Sequence, residues 1–225
     1  MKDESSTSRR RHSAGEATRV LLLEAAEQLF ATRGIDGVSL REIQVAAGQS
    51  NSSVIGYHFG SKSGLVRALI AYRQPALDDE RDAGIAQLKR AIADRDPQRA
   101  TARELVALVV GPLASSIRRG EMYTPFLARL SEDPKARSEY WPSDIEDHVS
   151  SEVTEELVDA VLQALPERIR RARAHQFFVS VLHALGDHAR QGTSLSDMRL
   201  SAYIDGWSAM LTARVSPETE SLIDS

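Results

Sequence analysis

Apolar positions recur at helical spacing along nearly the whole chain, and no stretch alternates convincingly as a half-buried strand would. From Ala17 to Thr32, Val20, Leu21, Ala25, Leu29 and Phe30 form one broad stripe, with Glu24, Glu27 and Gln28 expected to face water. Gly34 ends this helix and Gly37 shapes the loop after it. Leu40, Ile43 and Ala47 give a second, shorter helix, with Ser39 at its N-cap and Glu42 three residues on, the spacing of a capping box. Gly48 makes the turn, Ser50 or Asn51 caps a third short helix, and Val54 and Ile55 are its apolar residues. This is the size of a helix-turn-helix unit, with Leu29, Phe30, Leu40, Ile43, Val54 and Phe59 as the core of a three-helix head. So small a module is marginal alone and leans on a fourth element.

That element is a long helix opening after the turn at Gly60 to Lys62, with Leu65, Val66, Leu69, Ile70 and Tyr72 on its apolar face. Pro75 either bends it or starts a new helix, and helical character resumes from Ala76 to Ala93. Thr101 to Ile117 is strongly apolar and interrupted at Gly111 and Pro112; Tyr123 to Leu130 is short; Asp133 and Pro134 break the pattern. Further helices are expected from Pro142 to Leu165, from Pro166 to Arg190 with Gly192 closing it, and from Leu195 to Val215. The last two carry Val181, Leu182, Leu185, Ile204, Trp207 and Leu211 among small residues; these either pack against a second copy as a four-helix interface or complete the core of one subunit. The fold class expected is all-α: a disordered basic arm over 1–15, a helix-turn-helix head over 16–62, a helical body over 63–217 joined through the long helix, and a frayed tail over 218–225.

The third helix has an unusual surface. Asn51, Ser52, Ser53, Tyr57 and His58 put hydrogen-bonding groups on short or rigid stems, which suits close approach to base edges or phosphates; the alternative is a capped surface helix rich in serine. Charge favours the first reading. The net charge of −4 hides ten Lys or Arg against seven Asp or Glu over residues 1–75, and eighteen against twenty-five over the remainder, a mildly basic head on an acidic body. Arg9, Arg10 and Arg11 form a basic knot in the arm, either a contact to DNA or part of a solvated tail.

Other chemistry finds little support. The chain has no cysteine, which removes disulfides and thiolate catalysis and fits a reducing, cytoplasmic setting. No apolar run spans a membrane, and no secretory signal opens the chain. No H-E-x-x-H, G-x-S-x-G or Gly-rich phosphate loop occurs, so neither catalysis nor a cofactor is expected. His148, His175, His183 and His188 lie among carboxylates, but at no recognised metal-site spacing.

Residues from about Arg19 to Leu69 resemble the N-terminal domain of the TetR family of bacterial transcriptional repressors. The features that carry this are the run LLLEAAEQLFATRGIDGVS, the helix LREIQVAAG, the triplet Tyr57 to Phe59, and the GSKSGL that follows. The resemblance implies that Ser39, Ser50, Tyr57, His58 and Lys62 contact phosphates and that Asn51, Ser52 and Ser53 are the group meeting bases. Eight residues separate Gly48 from Tyr57 where many members have seven, which leaves the register of base contacts open by one position. It further implies a homodimer on a palindromic operator, with two recognition helices about 34–36 Å apart. A small hydrophobic or aromatic effector would enter the body, in a pocket for which Leu105, Val109, Leu113, Tyr123, Phe126, Trp141 and Phe178 are the candidates. The competing reading is a helical adaptor that binds protein and never DNA.

Overall fold

The computed structural model describes residues 4–51, 53–95, 100–140, 161–163 and 165–222, with side chains from residue 14 onward. In order, α1 (Glu4–Arg33), α2 (Leu40–Ala46) and α3 (Val54–Phe59) form the head, and α4 (Lys62–Ala93) leaves it. The body continues with α5 (Ala102–Arg118), α6 (Tyr123–Glu132), α7 (Pro134–Tyr140), α8 (Glu167–Arg190), α9 (Asp197–Thr212) and α10 (Pro217–Glu220). No strand occurs among the described residues, in accord with the all-α expectation.

Several boundaries differ from the sequence expectation. Helix α1 begins at Glu4 rather than Ala17, so residues expected in a disordered arm continue it; no proline intervenes to stop the helix. Its buried face is Leu22, Leu23, Ala26 and Phe30, while Leu21 is half exposed. Glu27, expected in solvent, is only 1 % exposed. The cause is that α1 is gripped by α2, α4 and α6 together, so its buried arc is wider than one stripe.

Both internal prolines are accommodated. Helix α4 runs unbroken through Pro75, whose ring is exposed; the carbonyl it cannot serve belongs to Ala71, which also faces water. Helix α5 likewise runs through Pro112 instead of stopping there, anchored by a capping box between Thr101 and Glu104. Asp133 ends α6 and its carboxylate starts α7, accepting the N–H of Lys135 at 2.9 Å and of Ala136 at 3.1 Å. The helix expected from Pro142 lies outside the described residues except for its end. Helix α9 starts at Asp197 on the cap Ser196, and α10 gives the expected frayed tail one ordered turn on Ser216.

One apolar core runs from head to body. Phe30 of α1 meets Phe126 of α6 at 6.3 Å between ring centroids, and Phe126 stacks on Tyr123 at 5.9 Å. Val181, Leu182 and Leu185 of α8 are fully buried in the same core, joined by Ile204, Trp207 and Leu211 of α9. A smaller cluster gathers Leu88, Ala100 and Leu105.

Because Phe126 touches both parts of that core, Phe126→Ala is expected to cost about 3–5 kcal/mol. Denaturant unfolding followed by far-ultraviolet circular dichroism and by tryptophan fluorescence should show coincident transitions shifted together. A head that melts separately from the body would contradict the shared core.

Candidate nucleic-acid interface

The first helix of the turn motif is fixed by local chemistry. The Ser39 hydroxyl oxygen accepts the Glu42 N–H at 3.2 Å, and the Glu42 carboxylate accepts the Ser39 N–H at 2.8 Å and its hydroxyl at 2.7 Å. Arg33 adds a 2.7 Å bond to the same carboxylate and another to the Gly37 carbonyl. The Ser39 backbone and hydroxyl bonds, then the Arg33 bond, hold the Glu42 carboxyl down to about 2. Ile43 is buried beneath, while Arg41 and Val45 face outward. The turn passes through Gly48 at φ 68°, a left-handed conformation that glycine adopts without strain.

The second helix is shorter than expected and starts later. Helix α3 begins at Val54, and neither Ser50 nor Asn51 is its N-cap. The Asn51 side-chain oxygen instead accepts the Ser53 N–H at 3.0 Å and the Ser53 hydroxyl at 2.8 Å, folding the segment into a turn before the helix. Asn51 and Ser53 are exposed, as is Ser50; Ser52 lies outside the described residues. Val54 and Ile55 point inward, and Tyr57 is 84 % exposed. Asn51 and Ser53 therefore stand on the approach to the helix.

Helix α4 holds α3 from behind. Ser61 caps it, accepting the Gly64 N–H at 3.0 Å, and Lys62 is its first residue. A Cβ at Gly64 would lie 2.0 Å from the Phe59 carbonyl oxygen, so the end of α3 sits directly on α4. The rings of Tyr57 and His58 meet edge-on at 5.0 Å, and the half-buried ring of Phe59 carries the Arg19 guanidinium at 5.6 Å. Tyr57 and Ser61 are exposed, and His58 and Lys62 are half-buried. Arg19 was missed by sequence reasoning, since its place over Phe59 depends on a tertiary stack. Leu40 and Leu29 are half-buried and Phe30, Ile43 and Val54 buried, all in the head's core.

The remaining candidates scatter. Tyr123, Phe126 and Leu113 are buried in the main core, with Val109 and Phe178 half-buried against it. Leu105 belongs to the smaller cluster, and Trp141 lies outside the described residues. A cavity of about 340 Å³ at the head–body seam is bordered by Phe126 with Phe30, Ile35 and Leu130. A second, of about 520 Å³, lies between Leu21, Ala46 and Arg73. The six residues read as either a subunit contact or part of the subunit's own core are buried inside the single chain, against α5 and α6. His183 pairs with Glu132 at 3.3 Å, His188 is buried beside Thr193 and Arg199, and His175 is exposed. Among the described residues no three ligating side chains converge, and no helix is long and apolar enough to cross a membrane.

Residues 22–69 match a family model described as bacterial regulatory proteins, tetR family. The matched span covers the buried part of α1, the turn motif and the first turns of α4. No curated protein matches the chain.

Two outcomes follow from this geometry. Gly64→Ala forces α3 away from α4 and should cost about 1–3 kcal/mol by denaturation while weakening DNA binding in mobility-shift assays. The stabilisation from Glu42 is complete above the ordinary carboxylate range and fades as pH falls toward about 2. An acid titration of helicity should therefore show Glu42→Gln less stable at neutral pH and converging on the parent below that window.

Proposed function

We propose, for a chain whose head belongs to the tetR family of bacterial regulatory proteins and which is therefore a DNA-binding transcriptional regulator, that it is a ligand-responsive repressor. It binds a palindromic operator as a homodimer and is released by a small hydrophobic or aromatic effector taken up in the body. The observation that carries this is the set of polar side chains bracketing α3, with Asn51, Ser53 and Tyr57 exposed and His58 and Lys62 half-buried, around a helix whose end rests directly on α4.

The roles divide by position. Asn51 and Ser53, with Ser52 between them, meet base edges. Ser39, Ser50, Tyr57 and His58 engage phosphates, joined by Lys62, whose amine lies at the positive end of a long helix. Arg19 adds a cation over Phe59 at the end of α3. The head over 16–62 reads DNA, and the body over 63–217 binds effector and partner. With the inner faces of α8 and α9 committed to the subunit core, the partner contact passes to their flanks, where Phe178, Ala184, Tyr203 and Met210 are only half-buried.

Binding through about six phosphates should weaken roughly a thousandfold between 50 and 200 mM salt. Fluorescence anisotropy with a duplex selected against the purified protein measures this slope. Affinity that is flat with salt would favour the adaptor reading, and removing Lys62 as Lys62→Ala should lower the slope by about one.

A further inference from the structure

Helix α1 is longer than its packing requires. Phe30 meets α6, Glu27 accepts the Met122 N–H, and Arg19, about two turns further back, stands over Phe59 at the end of α3. Followed toward its N-terminus, α1 therefore leaves its contacts with α6 and passes the end of α3. It then continues as helix to Glu4. From Arg19 to Glu4 this adds about 22 Å at about 1.5 Å per residue.

The subunit gives the extension little to rest on. Ala14, Glu16 and Ala17 are exposed, and a Cβ on Gly15 would meet nothing within 4 Å. Ser5, Ser6, Thr7, Ser8, Ser13 and Gly15 are weak helix formers away from a cap. An isolated helix shorter than about 12–15 residues is marginal in water, and most helical stability in proteins comes from packing. A segment of this kind keeps its helix by lying against something outside the subunit.

Charge indicates what that is. Between Ser5 and Gly15 the chain has three arginines, Arg9, Arg10 and Arg11, and no carboxylate. Successive residues turn by about 100° in an α-helix, so Arg9 and Arg11 fall about 80° to either side of the line through Arg19, and His12 about 20° from it. Arg10 falls about 180° away, on the opposite side. Glu16, nearer the head on the Arg19 side, pairs with Arg19 itself at 3.6 Å. The side of α1 that meets the end of α3 thus continues outward as a basic strip. Arg11 and Arg9 lie about 12 and about 15 Å beyond Arg19. On a duplex, where phosphates of one strand recur about every 3.4 Å, that reach is about four base-pair steps.

We infer that the N-terminal extension of α1 is a second DNA contact, a basic helical rod laid on the phosphates that flank the operator. Arg9 and Arg11 make the contact, and Arg10 is a bystander. This rests on the reading of the head as DNA-binding and extends the length of duplex it covers. DNA is the occupant because the rod is anchored at Arg19 beside α3, so seating α3 in a groove brings the rod to the same duplex. The contact is to the backbone and carries no sequence preference.

The test uses the full chain and two duplexes, one ending at the edge of the selected operator and one extended on each side by a helical turn of unrelated sequence. Fluorescence anisotropy across a salt series gives affinity and its salt slope. The parent should bind the longer duplex more tightly and with the steeper slope, and should gain helical circular dichroism on it. Arg9→Ala combined with Arg11→Ala should remove that gain, lowering the slope on the longer duplex by about two for each head bound. The same variant should match the parent on the shorter duplex and in thermal midpoint. Arg10→Ala should behave as the parent throughout. The proposal is overturned if flanking DNA adds nothing to the parent's affinity, if the double variant keeps the gain, or if Arg10→Ala loses as much as Arg9→Ala or Arg11→Ala alone. Salt-dependent binding of the shorter duplex with no gain from the flanks would overturn this contact and leave the DNA reading standing. No association with either duplex would sink both.

Discussion

The Glu27 carboxylate sits where α1, α4 and the start of α6 meet, and it holds all three. One oxygen accepts Arg73 Nε at 2.6 Å; the other accepts the Met122 N–H at 2.6 Å, serving the otherwise uncapped first turn of α6. Burying such ions costs on the order of several kcal/mol each, which only short, well-placed bonds offset. Desolvation accordingly raises the Glu27 carboxyl, although Arg73 and Met122 both pull the other way. Arg73 is held in turn by Glu121 at 3.4 Å, and Glu121 by Arg119, so the pair extends into a network at the α5–α6 turn. Apolar contact between Phe30 and Phe126 would tolerate some sliding of α1 over α6. The ion pair at Glu27 specifies one register, and the orientation of the head on the body follows from it.

Helix α4 links the turn motif to the body. Its first turn carries Lys62 and the seat of Phe59 at Gly64. Ser63 ties that turn to the body through Glu139 and Tyr140, each at 2.8 Å, with Arg67 stacked over the Tyr140 ring. Its middle carries Arg73, and the next turns carry the hydrogen-bonded run of Gln74, Asp78 and Arg81. Since Pro75 does not break it, these groups are carried on one continuous helix.

What the sequence made legible was local. Ser39 with Glu42 and Ser61 with its following turn are contacts between residues three apart, so identity and spacing contain the whole interaction. Gly48 is similar, because a left-handed turn is a property of one residue. Tertiary relations stayed hidden. Glu27 looked solvated because a single stripe cannot reveal that three helices grip α1. The start of α3 was misplaced because Asn51 serves equally well as a helix cap or a turn-former, and only its bonds to Ser53 decide. The stripe of Val181, Leu182 and Leu185 has the same periodicity whether it faces its own chain or a second one. Buried Arg81 offered no signal, since a lone arginine in a helical repeat is ordinarily a surface residue.

The pair of Glu27 and Arg73 also sets what a tilt of α4 would do at the head. Along a straight helix at about 1.5 Å per residue, Arg73 lies about 16 Å from Lys62. A pivot of about 5° at Arg73 would move the Lys62 end by about 1.4 Å, roughly half the length of a hydrogen bond. The bonds of Ser63 to Glu139 and Tyr140 oppose such a motion at the near end. An apolar contact in place of Glu27 and Arg73 would serve stability alone; the buried pair, with its directional bonds to Arg73 and to the Met122 N–H, fixes the one angle at which α1, α4 and α6 meet.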